Sequence, residues 1–113
     1  AEKINGLTIY SGVLEDVTSD MLKNIAHQIR QTEEKAAIII GGSFEGKASL
    51  LVAFTDSLVA GKSVNAIDII KSVSALINGG GGGQPFLATA GGKKPEGLPD
   101  AVKKAVNEVK SKL

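Results

Sequence analysis

The chain has 113 residues, 42% hydrophobic and 22% charged, with no cysteine, one histidine and a net charge of +1. That suits one domain with a modest core and excludes disulfides and thiolate metal sites. No run reaches the ~18–20 apolar residues of a membrane span, no secretory leader is visible, and a cysteine-free chain agrees with a reducing cytoplasm.

Charge is unevenly spread. Residues 1–46 carry Lys3, Lys23, Arg30 and Lys35 against seven acids, whereas residues 47–113 carry nine lysines against five acids. The chain opens Ala1-Glu2-Lys3 without an initiator Met, which reads as a piece of a longer protein.

Leu7-Thr8-Ile9-Tyr10-Ser11-Gly12-Val13 alternates and is rich in β formers, predicting a strand. Thr18-Ser19-Asp20 predicts a helix start, with Met21, Leu22, Ile25, Ala26 and Ile29 as the inward stripe and His27 on the polar side. Ala36-Ala37-Ile38-Ile39-Ile40, bounded by Gly41-Gly42, is short, continuous and β-branched, as a strand buried on both faces should be. Glu45-Gly46-Lys47 predicts a turn, and Ser49–Phe54 the returning strand of a hairpin.

Ser63 is placed to cap a second helix, with Ile67, Ile70, Val73 and Ile77 inward and Lys71 on the opposite side. That helix should stop at Asn78-Gly79. Five glycines, Gly79, Gly80, Gly81, Gly82 and Gly83, then lead into Gln84-Pro85, and they are expected to form a bare loop. Pro85–Ala90 predicts a short strand, at a sheet edge given the proline. Gly91-Gly92-Lys93-Lys94-Pro95 reads as a loop, and Pro99 opens a last helix with Val102, Ala105, Val106, Val109 and Leu113 inward. The order β-α-β-β-α-β-α predicts an α/β fold, a small mixed β-sheet with helices packed against it, and residues 1–113 form a single domain.

No catalytic or metal constellation emerges. Gly61-Lys62-Ser63 ends like a phosphate-binding loop, but Asp56 stands where that loop needs its first glycine. Gly42-Ser43-Phe44-Glu45 lacks the closing glycine of a nucleophile elbow. The glycine run matches a dinucleotide fingerprint only trivially, because it follows a helix and precedes a strand, the reverse of that motif's order.

Five glycines cost roughly 0.5–1 kcal/mol each relative to alanine in regular structure, so the run asks for a use. One use is a backbone surface whose N–H groups reach phosphate or sugar oxygens, with Lys71, Lys93, Lys94, Lys47 and Lys62 supplying salt-dependent attraction. The other is close internal packing, or a spacer. Composition alone leaves both open. Three Phe and one Tyr offer little for single-strand stacking, whereas structured RNA read by shape needs fewer aromatics.

The block Asn78-Gly79-Gly80-Gly81-Gly82-Gly83-Gln84-Pro85, then Ala88-Thr89-Ala90-Gly91-Gly92 and a closing amphipathic helix, resembles the C-terminal domain of the alanyl-tRNA synthetase family. Ser63-Val64-Asn65-Ala66 and Ala37-Ile38-Ile39-Ile40-Gly41 extend the resemblance over nearly the whole chain. That domain is of the DHH-associated type shared with DHH phosphoesterases.

The resemblance implies a non-catalytic tRNA-binding module that grips the outer corner of an alanine-specific tRNA and couples aminoacylation to editing. Partners would be tRNA, other domains of the parent enzyme and, in some members, a second copy. The parent would use ATP, with zinc in its editing domain, and this chain would hold no cofactor. The RNA-binding positions would be Lys71, Gly79–Gly83, Gln84, Gly91, Gly92, Lys93 and Lys94.

Two departures bear on this. The family often carries a basic residue within the glycine block and another before the proline, where this chain has glycine and Gln84. The phosphoesterase branch typically has histidine before that proline, and the Asp-His-His motif is absent. A DHH-type oligonucleotide phosphoesterase domain and a purely structural or dimerisation domain remain the alternative readings.

Overall fold

A computed structural model describes residues 2–4, 6–56 and 64–112. The described elements run β1 (Glu2–Ile4), β2 (Leu7–Glu15), α1 (Ser19–Thr32), β3 (Ala36–Phe44), β4 (Lys47–Phe54), α2 (Ala66–Val73), a 3-10 turn (Ser74–Ile77), β5 (Gly79–Gln84), β6 (Leu87–Gly92), a second 3-10 turn (Pro95–Gly97) and α3 (Leu98–Ser111). They build one six-stranded sheet in the order β1-β2-β3-β4-β6-β5. β2 and β3 are parallel, joined by α1, and every other pairing is antiparallel.

α1 and α2 begin where a side chain satisfies a free N–H group, and α3 where a proline removes one. Thr18 Oγ1 accepts from the Met21 N–H at 3.3 Å, and Asp20 adds favourable charge in the first turn of α1. Asn65 Oδ1 accepts from the Ile67 N–H at 2.9 Å and so caps α2. Pro99 lies in the first turn of α3, where its missing N–H costs nothing. Glu45 and Gly46 both take positive φ (52° and 79°), the tight two-residue turn that joins β3 to β4 without splaying them.

The sheet separates two cores. On one face Leu7, Ile9, Ala37, Ile39, Leu50, Val52, Phe54, Ala88 and Ala90 pack against Ile69, Ile70 and Val73 of α2 and Leu98, Ala101, Ala105 and Val109 of α3. On the other face Leu22 and Ala26 of α1 cover only Ile38, Ile40, Leu51 and Ala53. The strand Ala36–Ile40 is therefore buried on both faces, as its β-branched run requires.

Several expectations are corrected. β3 continues through Gly41-Gly42, which pair with β2 and β4 on either side; glycine stands there because a Cβ at Gly41 would be 2.9 Å from Leu98 Cδ2 and one at Gly42 2.9 Å from the Val17 carbonyl oxygen. The neighbours press on the strand too closely there for larger side chains. Of the stripe expected to face inward on α1, Met21 alone is exposed, while Leu22, Ile25, Ala26 and Ile29 pack toward the sheet. The second helix begins at Asn65-Ala66, and Ser63, with the rest of Gly61-Lys62-Ser63, lies outside the described residues, as does Leu113.

The largest revision concerns the glycines. Gly79–Gly83 is not a loop: with Gln84 it forms β5, the edge strand of the sheet. Gly91-Gly92 likewise belongs to a strand, the end of β6. The proline-flanked strand is interior rather than at an edge, because β5 pairs outside it and Pro85-Phe86 is the turn between them. Strand formation gives the glycine backbone antiparallel partners that a loop would lack.

Candidate nucleic-acid interface

The antiparallel register assigns every residue near the glycine strand to a face. On the face that α1 partly covers, one cross-strand row is Gly42, Ser49, Gly91 and Gly80, and the next is Ile40, Leu51, Thr89 and Gly82. α1 packs over β3 and β4; Leu87 at the start of β6 joins that core, and the rest of β6 and β5 is left open. In its first two rows this uncovered part carries one side chain, that of Thr89, among Gly91, Gly80 and Gly82. A Cβ at Gly80 or Gly82 would meet nothing within 4 Å, so their backbone can be approached closely.

The other glycines of the run serve the sheet itself. At Gly79, Gly81 and Gly83 the position an L-residue's Cβ would take is occupied by β6 backbone: the Gly91, Thr89 and Leu87 carbonyl oxygens respectively. Gly92 meets the Ile77 carbonyl in the same way. Packing and open backbone thus alternate along one strand.

The rim of the open face carries the charge. Lys47, Ala48, Ser49, Asn78, Gly91, Gly92 and Lys93 line a shallow cleft of about 390 Å³. Because Ala48 pairs with Gly92, and Gly79 with Gly92, the preceding Lys47 and Asn78 stand beside the following Lys93. Asn78 adopts the left-handed conformation (φ 53°, ψ 50°) that turns the chain from the 3-10 turn into β5. The Lys94 N–H donates to the Ile77 carbonyl at 3.0 Å, fixing where the chain leaves β6.

The expected site residues divide accordingly. Gly80, Gly82, Gly91 and Lys93 meet at the open face, with exposed Lys94 next along the chain. Gln84 is exposed at the far end of β5, beside the Pro85-Phe86 turn. Lys71 is exposed on α2, which packs against the opposite face of the sheet. Ser49 and Phe44 carried no signal that singled them out. The two-residue turn Glu45-Gly46 could have found them, because it sets Phe44 opposite Lys47 and Ser49 two residues along.

The far end of the glycine hairpin is anchored. The Arg30 guanidinium lies over the Phe86 ring, 4.8 Å from its centroid, while Arg30 Nε donates to the Phe54 carbonyl at 3.2 Å and Nη2 pairs with Asp56 at 2.9 Å. The Phe54 and Ala66 N–H groups donate to the Phe86 and Pro85 carbonyls, both at 2.8 Å. The turn is therefore held by α1, β4 and the start of α2. Among the described residues, no three His, Cys, Asp or Glu side chains gather to hold a metal, and no helix is long and apolar enough to cross a membrane.

The DHHA1 domain profile matches residues 6–111. Alanine–tRNA ligase of Christiangramia forsetii is 39% identical over 109 residues, covering 96% of this chain, and that of Levilactobacillus brevis is 42% identical over 99 residues, covering 88%. The chain spans 12% and 11% of those proteins' lengths. The crystal structure of the C-Ala domain from Aquifex aeolicus alanyl-tRNA synthetase superposes with a TM-score of 0.80 at 31% identity, over 96% of this chain and 94% of that one.

Proposed function

Since this chain belongs to the DHHA1 domain family, in its alanyl-tRNA synthetase branch, we propose that it is a tRNA-binding C-terminal module of an alanine–tRNA ligase. One observation carries the reading: Gly80, Gly82 and Gly91 of the glycine hairpin present bare backbone on an open sheet face whose rim holds Lys47 and Lys93. Such a surface accepts a sugar–phosphate backbone closely, and the lysines supply attraction without selecting a base. It suits the outer corner of a folded tRNA, recognised by shape.

In this reading the module acts in the cytoplasm and holds one tRNA while aminoacylation and editing take place elsewhere in the parent enzyme. ATP and zinc belong to those other domains. Lys93, Lys94 and the Gly80, Gly82 and Gly91 backbone contact RNA, with Lys71 and Gln84 at the periphery. A second copy of the parent is a further partner.

A gel-shift titration against tRNA and duplex DNA at two salt concentrations tests this. A preference for tRNA, lost on Lys93→Glu with Lys94→Glu, is the expected result. Equal affinity for both nucleic acids, unmoved by the double charge reversal, would refute it. A phosphoesterase-type role is disfavoured by Gln84, which cannot supply the cationic phosphate contact of a histidine.

A further inference from the structure

The rim row of the open face contains a residue that tRNA shape recognition does not use. Phe44 pairs with Lys47 across the β3–β4 turn. Two residues earlier on β3, Gly42 faces the α1 side, where a Cβ would approach Val17 and Leu22 Cδ1. Strand alternation puts Phe44 on that same side. Phe44 and Lys47 thus stand side by side at the rim, about 4.8 Å apart as neighbouring strands are, and Lys47 shares its cleft with Lys93 and Asn78.

Phe44 is 42% exposed, an unusual setting for a ring. The other aromatics are occupied: Phe54 is fully buried, Phe86 lies beneath Arg30, and the Tyr10 hydroxyl donates to Glu33 at 2.8 Å. A partly exposed ring beside Lys47, at the edge of a trough of Ser49, Gly91 and Gly80 that Lys93 also lines, matches the parts of one nucleotide. A base has a π-face for stacking, a phosphate is held by cations on either side, and bare backbone lets the sugar approach closely.

We propose that Phe44, Lys47 and Lys93 form a single-nucleotide pocket, in which an unstacked RNA base lies on the Phe44 ring and its phosphate sits between the two lysines. The inference rests on the tRNA-binding reading and adds a base-stacking contact to it. Phe44 and Lys47 lie outside the glycine block and become binding residues. Glu45, in the turn beside them, is the carboxylate that opposes the phosphate.

Two measurements test the pocket. In tRNA titrations at several salt concentrations, Phe44→Ala should weaken binding at least about fivefold with the salt slope unchanged, as loss of one stacked base does. Phe44→Tyr should restore it, and Lys47→Ala should flatten the slope by about one. Wild-type affinity in Phe44→Ala, or no rescue by tyrosine, overturns the proposal while leaving tRNA binding itself standing.

Separately, amide resonances of Phe44, Lys47 and Lys93 should shift together on titration with uridine monophosphate. No shift there overturns the pocket whatever tRNA does. A shift in a domain without tRNA affinity supports the pocket and removes only the tRNA assignment.

Discussion

Adding one methyl group to alternate glycines of β5 should have opposite consequences. Gly81 and Gly82 are adjacent in one edge strand, and neither has a φ in the left-handed range, so alanine is allowed by local backbone geometry at both. At Gly82 the new Cβ meets open space, whereas at Gly81 it overlaps the Thr89 carbonyl. Overpacking costs about 1–3 kcal/mol, and a backbone obstacle, which cannot rotate aside, places Gly81 in the upper part of that range. Replacing glycine gives back about 0.4–1 kcal/mol through the unfolded chain.

Gly81→Ala should therefore lose about 2 kcal/mol net, and Gly82→Ala should be neutral or gain up to about 1 kcal/mol. For a chain of this length, roughly 4 °C per kcal/mol gives a Tm about 8 °C lower for the first and unchanged or a few degrees higher for the second. Thermal melts followed by circular dichroism read the difference. Amide exchange at Thr89 and Ala90 separates local detachment of β5 from global destabilisation. Equal Tm values for the two variants would refute the alternation of packed and open glycines along the strand.

Three other outcomes are expected. Arg30→Met removes the Phe54 carbonyl bond and the contact with Phe86, and should cost about 1–2 kcal/mol in chemical denaturation. Asp56→Asn should cost less than about 1 kcal/mol, because Asp56 is 91% exposed. Tyr10, the chain's only tyrosine, should ionise above its ordinary 10.0 in an absorbance titration, because its hydroxyl donates to Glu33 and the carboxylate opposes a phenolate. Folding favours the protonated phenol, so this contribution is present below the unfolded pKa and disappears as pH rises through the raised folded value. Glu33→Gln should bring the midpoint down.

The local signals in the sequence were physical ones, and they survive folding. Thr18 before Asp20 caps α1 because a β-conformation hydroxyl there can reach a free N–H. The β-branched run Ala36–Ile40 demanded two apolar faces, and helices on both sides of the sheet provide them. Glu45-Gly46 declared the β3–β4 turn, and the amphipathic stripe of the closing helix declared its inward face. The similarity of the glycine block identified the family without a view of its conformation.

What the glycines are was settled by long-range pairing. A polyglycine segment has neither β propensity nor a hydrophobic period, so nothing local marks Gly79–Gln84 as a strand; only the unpaired edge of β6 makes it one. The same is true of β1, whose three residues gain their state from pairing with β2. The site depends on register for the same reason. Lys47 and Lys93 are 46 positions apart in the chain and become neighbours only because β6 inserts between β4 and β5. Residue types alone established which positions could serve as bare backbone and which as charge. Strand pairing established which glycines must be bare for the sheet to close and which are left open to a partner.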